Sequence, residues 1–515
     1  MARLERAVPT YPSPNNPLRR YLTPFYCLAL GLAFILALEA CSRKATLAPE
    51  PTSTLASPVQ VTAKASFGTQ AHTKATPTAL PPIPATPDES TPSPLGVSAA
   101  QLNGLKVSLW YPWSGVSGDS FQAILDGFNN SNQWGIQVEA RGYGDYGSLD
   151  DAMELALASG SLPDVIVDYG YQARRWGTMG ILAPLNPYFA DRVWGLTPEE
   201  GADFYPAFWS EDLTSVGYAG EPTRLGVPYY RSAYALFYNQ TWAEELGYPD
   251  LPITPEDFRV RACAAAETVR QDGDKTNLGK GGWLVTPDPG ALVGWIYAFG
   301  GDITNPDGAG YLFNTNATTQ AFEYLKGLQD SGCAWTGTDV DAQVAFASRL
   351  ALFVVGSLTD VSTQRAAFAT AGSTDNWVVI PFPSNNKPVV VTYGPSLFVT
   401  DSTPARQLAS WLVIEWLVYP PNQASFVQEL GVYPTRQSTL RYLIHTEDAG
   451  TQWAQALGLL PDVRGEPTLI SWSILRWALS DATSQLFSQK FMVDQIPALV
   501  GNLDGVAKEI FDQVH

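Results

Sequence analysis

The chain has 515 residues, more than one domain usually holds, so two lobes with accessory segments are the starting expectation. Hydrophobic residues make up 45% of the chain and aromatic residues 12%, which is enough for large cores and ring-lined surfaces. The formal net charge is −19. A chain this acidic repels nucleic-acid backbones and anionic lipid headgroups, which excludes a nucleic-acid partner and membrane docking through a basic patch.

Residues 1–40 have the features of a secretion signal. An apolar run from Phe25 to Leu38 follows two arginines, and it is short for a membrane span. The ending Leu38-Glu39-Ala40-Cys41 resembles a bacterial lipobox, in which the cysteine is lipidated and becomes the mature N-terminus. Glu39 departs from the small or apolar residue that is usual there, so an uncleaved membrane anchor is the alternative. Both imply an extracytoplasmic protein held at the outer face of the cell membrane.

The segment 41–100 has a composition that cannot build a core. It contains ten prolines, many Thr, Ser and Ala residues, and a single aromatic residue, Phe67. We predict a disordered tether between the lipidated Cys41 and a globular head.

Two cysteines, Cys263 and Cys333, fall in the globular part. In an extracytoplasmic protein an even pair is more often a disulfide than two free thiols, so we expect a structural bridge. Cys263 lies in a predicted helix with Thr254 as its N-cap, and Cys333 follows another predicted helix, residues 319–331.

The globular part opens with strands and helices in alternation. Residues 105–110, 136–140 and 165–167 have strand patterns, and helices are predicted over 120–128 and 149–159. For the second helix, Ser148 is the predicted N-cap and Gly160 the left-handed C-cap. This order implies right-handed crossovers and a mostly parallel sheet.

A catalytic or metal centre is hard to find. The three histidines are His72 in the tether, His445 in a predicted surface helix and His515 at the terminus, so they build no catalytic triad or multi-His metal site in the core. The phosphate-binding loop motif is absent as well. Carboxylates are numerous, which leaves a two-carboxylate glycosidase open. The acidic stretch 272–277 lacks the spacing of a calcium loop and is predicted to be solvated. We expect no metal, no cofactor and no enzymatic activity.

The stretch from Leu155 to Asp191 reads LALASGSLPDVIVDYGYQARRWGTMGILAPLNPYFAD. It resembles the signature of the extracellular solute-binding proteins of bacterial ABC importers, in the branch (family 1) that contains the maltose-binding protein. Further similar motifs follow in order, among them VPYY before Arg231, VVVTYG up to Gly394 and GVYPTR up to Arg436. Each motif alone is weak evidence for the family. For the stretch from Leu155 to Asp191, a helix-strand unit of an α/β enzyme is the alternative interpretation. The succession of motifs covers nearly all of residues 104–515.

The resemblance implies an α/β fold of the type II periplasmic-binding-protein class. Two lobes built from discontinuous segments would close over a solute by hinge bending. The first lobe would contain residues 104–237 and 393–430, and the second lobe 238–392 and 431–515, the last segment supplying the closing helices.

A sugar offers apolar C–H faces ringed by hydroxyl groups, so its binders use flat rings for the faces and polar groups for the rim. In the first lobe the resemblance points to loops after successive strands, with ligand-binding candidates Trp113, Tyr143, Asp145, Asp168, Tyr169 and Tyr171. At the crossings between the lobes the candidates are Tyr229, Tyr230, Tyr393 and Gly394. In the second lobe they are Asp288, Trp295, Gly300, Gly301, Gly356, Ser357, Trp472 and, at the rim, Arg436.

Alternatives stay open for several of these positions. A core position is an equal alternative for Trp113, Tyr169, Trp295 and Trp472, and a structural ion pair is the alternative for Arg436. The predicted function is that of an extracellular, monomeric lipoprotein that binds a carbohydrate, preferably a disaccharide or oligosaccharide, and delivers it to the permease subunits of an ABC importer. The alternatives are a polyamine, glycerol phosphodiester or peptide as solute, a secreted glycosidase, and a cell-surface adhesion or sensor module.

Overall fold

The computed structural model describes residues 93–214, 222–337, 340–443 and 451–514. The predicted signal segment, Cys41, most of the predicted tether and all three histidines therefore lie outside the described residues. Among the helices that are described, none has the length and apolar character needed to cross a membrane.

A five-stranded sheet forms the centre of the first lobe. Its strands, in spatial order, are Gln137–Gly142, Lys106–Tyr111, Val165–Tyr169, Pro395–Val399 and Gly226–Pro228. The first three are parallel, as the alternation of strands and helices predicts, and Pro395–Val399 runs antiparallel to both of its neighbours.

An eight-stranded sheet forms the centre of the second lobe. Six strands follow one another in the order Val463–Gly465, Val390–Tyr393, Tyr230–Asn239, Ala351–Ser357, Gly281–Val285 and Ala334–Thr336. Trp377–Ile380 and Tyr433–Pro434 also pair with the long strand Tyr230–Asn239. That strand is antiparallel to its four partners, so this sheet is mixed rather than mostly parallel.

Helices surround the two sheets. The α-helices in the described residues are Gly115–Ser131, Tyr146–Ser159, Gly170–Thr178, Asn186–Ala190, Pro198–Ala202, Pro206–Trp209, Gln240–Glu245, Pro255–Gln271, Pro289–Ala298, Asn316–Asp330, Ala342–Ala347, Val361–Ala371, Pro404–Leu417, Pro420–Leu430, Thr451–Leu457, Trp472–Leu486 and Ile496–Val514. Short 3₁₀ turns lie at Ala99–Leu102, Ser210–Asp212, Leu358–Asp360, Gln437–Tyr442, Leu460–Asp462 and Val493–Gln495, and a two-stranded ribbon pairs Leu213–Thr214 with Thr223–Arg224.

The chain crosses between the sheets at Tyr229 and again at Gly394, because each of these residues separates a strand of one sheet from a strand of the other. The two crossings touch: the Tyr229 N–H donates to the Pro395 carbonyl at 3.1 Å. A Cβ atom at Gly394 would lie 2.5 Å from the Tyr230 carbonyl oxygen, so a side chain there would force the crossings apart. Residues 433–434 pair with Tyr230 and Arg231 close by.

The structure corrects two of the predicted lobe boundaries. The boundary at residue 237 falls inside the strand Tyr230–Asn239, all of which lies in the second sheet, so the first crossing comes at Tyr229. The segment from residue 431 contacts both lobes before it joins the second. Val432 and Trp453 pack in the hydrophobic core of the first lobe, whereas Tyr433–Pro434 pairs with the second sheet. Trp472–Leu486 and Ile496–Val514 pack in the second lobe.

The predicted tether also ends earlier than residue 100. Val97 and Leu102 are buried in the first lobe's core, and the Ser93 hydroxyl donates to Asp191 Oδ2 at 2.5 Å. The apolar residues at the end of the proline-rich segment therefore anchor residues 93–100 to the folded domain.

Cys263 and Cys333 form a disulfide in the second lobe. Cys263 lies in the helix Pro255–Gln271, which begins at the predicted N-cap Thr254 with a capping box to Asp257. Cys333 precedes the strand Ala334–Thr336, so the bridge fixes this helix to the end of the sheet.

Candidate functional site

A cavity of about 340 Å³ lies between the two lobes, beside the crossings. We call it the interlobe pocket. Its lining residues are Tyr169, Gly170, Tyr171, Glu211, Asp212, Arg231, Thr392, Tyr393, Gly394, Glu466, Pro467, Thr468 and Trp472. Five of the predicted candidates are thus brought together here, namely Tyr169, Tyr171, Tyr393, Gly394 and Trp472.

The first lobe contributes a stack of tyrosine rings. Tyr169 is the last residue of the strand Val165–Tyr169, and the helix Gly170–Thr178 begins directly after it. The Tyr169 ring lies 4.4 Å from the ring of Tyr146 and is stacked 5.4 Å from that of Tyr171. Tyr171 in turn packs against the core of the second lobe, so this stack reaches across the gap.

The second lobe contributes Tyr393, which lies in the predicted return crossing and is the last residue of the strand Val390–Tyr393. Its ring is stacked on that of Tyr234 at 4.7 Å, and its hydroxyl lies 2.6 Å from the hydroxyl of Ser357. Ser357 also contacts the Ser232 hydroxyl at 2.8 Å. Ser357 therefore orients a ring that lines the pocket, although it does not line the pocket itself.

Trp472 is nearly fully buried, yet part of its surface lines the interlobe pocket. Its indole N–H donates to Glu466 Oε2 at 2.9 Å, and the other Glu466 oxygen is bound by Arg476. Arg476 also donates to the Tyr234 hydroxyl at 3.1 Å. The Arg476 guanidinium and the Trp472 indole N–H thus compensate the charge of Glu466. Glu466 and Trp472 line the pocket from the second lobe.

Glu211 and Asp212 bring two adjacent carboxylates to the pocket. Glu211 Oε2 accepts from Arg231 Nε at 2.7 Å, and Asp212 Oδ2 accepts from the Ser396 hydroxyl at 2.7 Å. Burial raises the pKa of Glu211 to about 7; Arg231 opposes this shift, whereas the charges of Asp212 and Glu466 add to it. Burial likewise raises the pKa of Asp212. The same two residues line an adjoining cavity of about 170 Å³.

Asp168 lies behind the tyrosine stack rather than on the pocket. It is fully buried, and one of its oxygens accepts from the Tyr169 N–H at 2.6 Å. Burial raises its pKa well above the ordinary aspartate range, and the nearby charge of Asp150 raises it further. Burial also raises the pKa of Asp150 to about 6. A buried acidic pair therefore supports the base of the stack.

The other first-lobe candidates do not reach the pocket. Trp113 packs in an aromatic cluster with Phe121, Phe426 and the crossing residues Tyr229 and Tyr230. Both tyrosines are buried in the first lobe's core, and the Tyr230 carbonyl accepts from the pocket-lining Arg231 at 2.8 Å.

Tyr143 and Asp145 have local roles. The Tyr143 ring lies 5.0 Å from that of Trp110, with the Arg141 guanidinium 4.7 Å from its centroid. Asp145 is the N-cap of the helix Tyr146–Ser159, since its carboxylate accepts from the Ser148 N–H at 2.8 Å. The helix thus begins three residues earlier than predicted, and Ser148 is not its cap.

In the second lobe, Asp288 and Trp295 belong to the helix Pro289–Ala298 and its cap. Asp288 accepts from the Gly290 N–H at 2.7 Å, and burial raises the pKa of this carboxyl to about 6. Trp295 is fully buried among Phe258, Trp283 and Phe382, so it is a core residue.

The remaining second-lobe candidates are structural as well. Gly300 and Gly301 follow that helix, and the Gly301 carbonyl accepts from Arg464 Nη1 at 2.9 Å. A Cβ atom at Gly356 would lie 2.6 Å from the Phe237 ring, which requires glycine for strand packing. Arg436 is buried and donates to Asp203 Oδ2 at 2.8 Å, so its structural alternative holds.

The polar part of the pocket was not among the predicted residues. Glu211 and Asp212 fall in a short 3₁₀ turn within a region of brief elements, where no periodicity marks a site. Arg231 directly follows the predicted Tyr229 and Tyr230, and Thr392 precedes the predicted Tyr393. Successive side chains of a strand point to opposite faces, so a residue next to a predicted core residue can face the gap between the lobes. This alternation is the signal that could have identified Arg231 and Thr392.

The pocket therefore combines ring faces from both lobes with carboxylate, guanidinium and hydroxyl groups. This combination suits a small polar molecule with apolar faces. No group of three or more His, Cys, Asp or Glu residues suited to a metal ion occurs in the part of the chain that is described.

Residues 123–456 match the family of bacterial extracellular solute-binding proteins. No sequence among curated proteins matches the chain. Several solved structures are similar in fold. The cyclic α-maltosyl-1,6-maltose binding protein from Arthrobacter globiformis is 18% identical with a TM-score of 0.67, and the match covers 80% of this chain and 100% of that one.

Two further structures are similar over almost the same extent. The sugar-binding protein MalE from Xanthomonas citri is 22% identical with a TM-score of 0.66, covering 79% of this chain and 98% of that one. UgpB from Mycobacterium tuberculosis, in complex with glycerophosphocholine, is 18% identical with a TM-score of 0.63, again covering 79% and 98%. These likenesses establish the two-lobed type II fold, and the match over residues 123–456 shows that the chain belongs to the bacterial extracellular solute-binding protein family.

Proposed function

We propose that the chain binds a carbohydrate in the interlobe pocket and delivers it to the permease subunits of an ABC importer. The observation that carries this proposal is the meeting of Tyr169 and Tyr171 from one lobe with Tyr393 and Trp472 from the other around one cavity. Ring faces bind the apolar faces of a sugar, and the polar groups between them can bind its hydroxyls. A solute that touches both lobes stabilises the closed form by its higher affinity for that form.

Two similar folds support a sugar as the solute, since they are named as binding cyclic α-maltosyl-1,6-maltose or as sugar-binding.

A solute with a cationic group is the second candidate. Three carboxylates, Glu211, Asp212 and Glu466, line the pocket. Arg231 pairs with Glu211 and Arg476 with Glu466, but Glu211 and Asp212 each keep one buried oxygen without a donor in the described part of the chain. Aromatic faces together with carboxylates suit an ammonium group, and one similar fold was solved with glycerophosphocholine. A polyamine or a choline-bearing glycerol phosphodiester therefore stays a specific alternative.

The proposal includes the predicted location and mode of action. A monomeric, non-enzymatic protein would be held at the outer face of the membrane by a lipid on Cys41. Mass spectrometry of the purified membrane form tests this, since lipidation at Cys41 gives a modified N-terminal peptide that begins at this residue. An unmodified peptide that runs through Glu39 and Cys41 would favour an uncleaved anchor.

The decisive experiment is a binding panel of glucose, glucosamine, maltose, maltotriose, glycerophosphocholine and spermidine. Binding should raise the melting temperature by mass action and change the tryptophan fluorescence, because Trp472 lines the pocket. A response to the sugars supports the proposal, and a response to glycerophosphocholine or spermidine alone selects the second candidate. Sugars recovered unchanged after incubation separate binding from glycosidase activity, whereas released products would contradict the proposal.

A further inference from the structure

The two carboxylate oxygens of Glu211 have different surroundings. Oε2 is held by Arg231 Nε at 2.7 Å. Oε1 is buried and has no hydrogen-bond partner among the described residues, although Glu211 lines the interlobe pocket. The Glu211 side chain is only 14% exposed. A buried carboxylate oxygen without a donor is unfavourable, so this atom is suited to a donor that comes from outside the chain.

Asp212 and Thr392 repeat this arrangement on the same pocket. Asp212 Oδ2 accepts from Ser396, while Asp212 Oδ1 finds no donor in the described part of the chain. The Thr392 hydroxyl is buried and likewise lacks a partner within the described ranges. Asp212 is 5% exposed and Thr392 is 1% exposed. Three residues that line the interlobe pocket thus each have a buried polar atom without a partner among the described residues.

Arg231 connects Glu211 to both crossings. The guanidinium is 1% exposed, and its Nη1 donates to the Tyr230 and Pro395 carbonyls, each at 2.8 Å. Its Nη2 donates to the Ser396 hydroxyl at 3.1 Å. Tyr230 begins a strand of the second sheet and Pro395 begins a strand of the first, so one side chain holds the two crossings together.

We propose that Glu211, with Asp212, binds hydrogen-bond donors of the solute directly, and that Arg231 is a positioning residue that links this contact to the interlobe crossings. The inference rests on the proposed solute-binding function of the same pocket. Glu211 and Asp212, which lie outside the motifs shared with the family, would bind the donors of the solute. The ion pair of Glu211 with Arg231 would connect the bound solute to the hinge.

The donors can be the hydroxyl groups of a sugar or an ammonium group. Both donate to a carboxylate, and both favour its ionised form. The carboxyl of Glu211 is therefore expected to lose its proton when the solute binds. Affinity should fall as the pH is lowered below about 7, by up to ten-fold for each unit by which binding lowers the pKa.

Several charged groups face this carboxyl and set its titration. Arg231 on the long strand favours the ionised form, whereas Asp212 beside it and Glu466 from the second lobe disfavour it. Arg174 and Arg224 act on Asp212 from the helix Gly170–Thr178 and the two-stranded ribbon. A variant of Glu211 separates its contribution from those of the other groups.

The test measures calorimetric binding to the full chain in two buffers of different ionisation enthalpy, at pH 6, 7 and 8. The probes are glucose, glucosamine, maltose and glycerophosphocholine. Glu211→Gln and Asp212→Asn are compared with Asp375→Asn, which neutralises a carboxylate outside the pocket that pairs with Arg349 and whose side chain is 8% exposed. Melting temperatures establish that each variant is folded, and Asp212→Asn serves if Glu211→Gln unfolds. In the ligand-free protein, the carbon-13 signal of the Glu211 carboxyl is titrated.

The expected result is proton release by the wild type and by Asp375→Asn, with at least a ten-fold loss of affinity and no pH dependence near 7 in Glu211→Gln. Glucosamine binding more tightly than glucose identifies an ammonium donor, and the reverse identifies hydroxyl donors. Unchanged affinity and proton release in both Glu211→Gln and Asp212→Asn overturn the inference. If no probe binds the wild type, the proposed function fails and the inference fails with it, whereas binding that neither variant alters overturns the inference alone. A Glu211 carboxyl that titrates in the ordinary glutamate range in the ligand-free protein contradicts the expected proton release.

Discussion

At the scale of single residues, Tyr169 and Tyr143 form a matched pair. Both are half-buried tyrosines at the ends of first-lobe strands, since Tyr169 is the last residue of Val165–Tyr169 and Tyr143 directly follows Gln137–Gly142. Only Tyr169 lines the interlobe pocket. Tyr169→Ala should weaken binding of the tightest probe by about five- to ten-fold, because a stacked ring contributes about 0.5–1.5 kcal/mol beyond its area. Tyr143→Ala should leave affinity within a factor of two. Equal losses in both variants, by fluorescence titration, would contradict the assignment of the pocket.

How far such residues can be predicted depends on the range of their contacts. The strand that begins at Val165, predicted over 165–167, and the tyrosines near its end follow from the local pattern, as does the helix that carries Cys263. Arg436 could not be assigned in this way, because its partner Asp203 lies 233 residues away. Trp295 looks like a binding residue in sequence, yet its helix is buried on every side, so the ring packs in the core. Glu211 and Arg231 become a pair only when a short turn meets a crossing strand.

At the scale of secondary-structure elements, the N-terminus of the helix Tyr146–Ser159 supports the tyrosine stack, since the first residue of the helix, Tyr146, contacts Tyr169. Asp145→Ala removes the acceptor of the Ser148 N–H and should lower the free energy of unfolding by about 1 kcal/mol. Ser148→Ala should have a smaller effect, because the Ser148 hydroxyl only adds a bond to Asp145 at 3.1 Å. Urea unfolding of the two variants distinguishes these roles, and a larger effect of Ser148→Ala would restore it as the cap.

The disulfide Cys263–Cys333 connects two elements of the second lobe. It closes a loop of 70 residues between the helix Pro255–Gln271 and the strand Ala334–Thr336. Cys263→Ala combined with Cys333→Ala should lower the free energy of unfolding by about 2–5 kcal/mol, chiefly because the unfolded chain regains freedom. Chemical denaturation of the oxidised wild type and the double variant measures the difference. Equal midpoints would show that the bridge contributes nothing to the stability of the second lobe.

At the scale of the whole molecule, two large cores are joined by crossings that a small set of contacts controls. Gly394 permits the close approach, and Arg231 binds the Tyr230 and Pro395 carbonyls on either side of it. The pocket lies against these contacts, so a solute placed there touches the region where the lobes can move. Binding is coupled to closure by the position of the pocket beside the crossings rather than by the size of the pocket, since a few residues at the crossings determine the hinge movement.

Buried carboxyls in both lobes also make the stability of the ligand-free protein depend on pH. Burial raises the pKa of Glu211 to about 7 and the pKa values of Asp150 and Asp288 to about 6, and it raises that of Asp168 strongly. These carboxyls hold protons in the folded chain at pH values where the unfolded chain has lost them. The free energy of unfolding should therefore fall as the pH rises from about 4 to about 7.

Carboxyls in salt bridges change the free energy of unfolding in the opposite direction, and they do so at lower pH. Arg349 lowers the pKa of Asp375, and hydrogen bonds from Ser438 and Arg436 lower that of Asp203, so their contribution is lost only below about pH 4. Between pH 5 and 8 the raised carboxyls dominate. Urea unfolding should give a lower free energy at pH 8 than at pH 5, with a smaller difference in Glu211→Gln and Asp150→Asn. Stability that rises from pH 5 to 8 would mean that these carboxyls are ionised and compensated in the folded protein, because only then does the unfolded chain bind more protons over that interval.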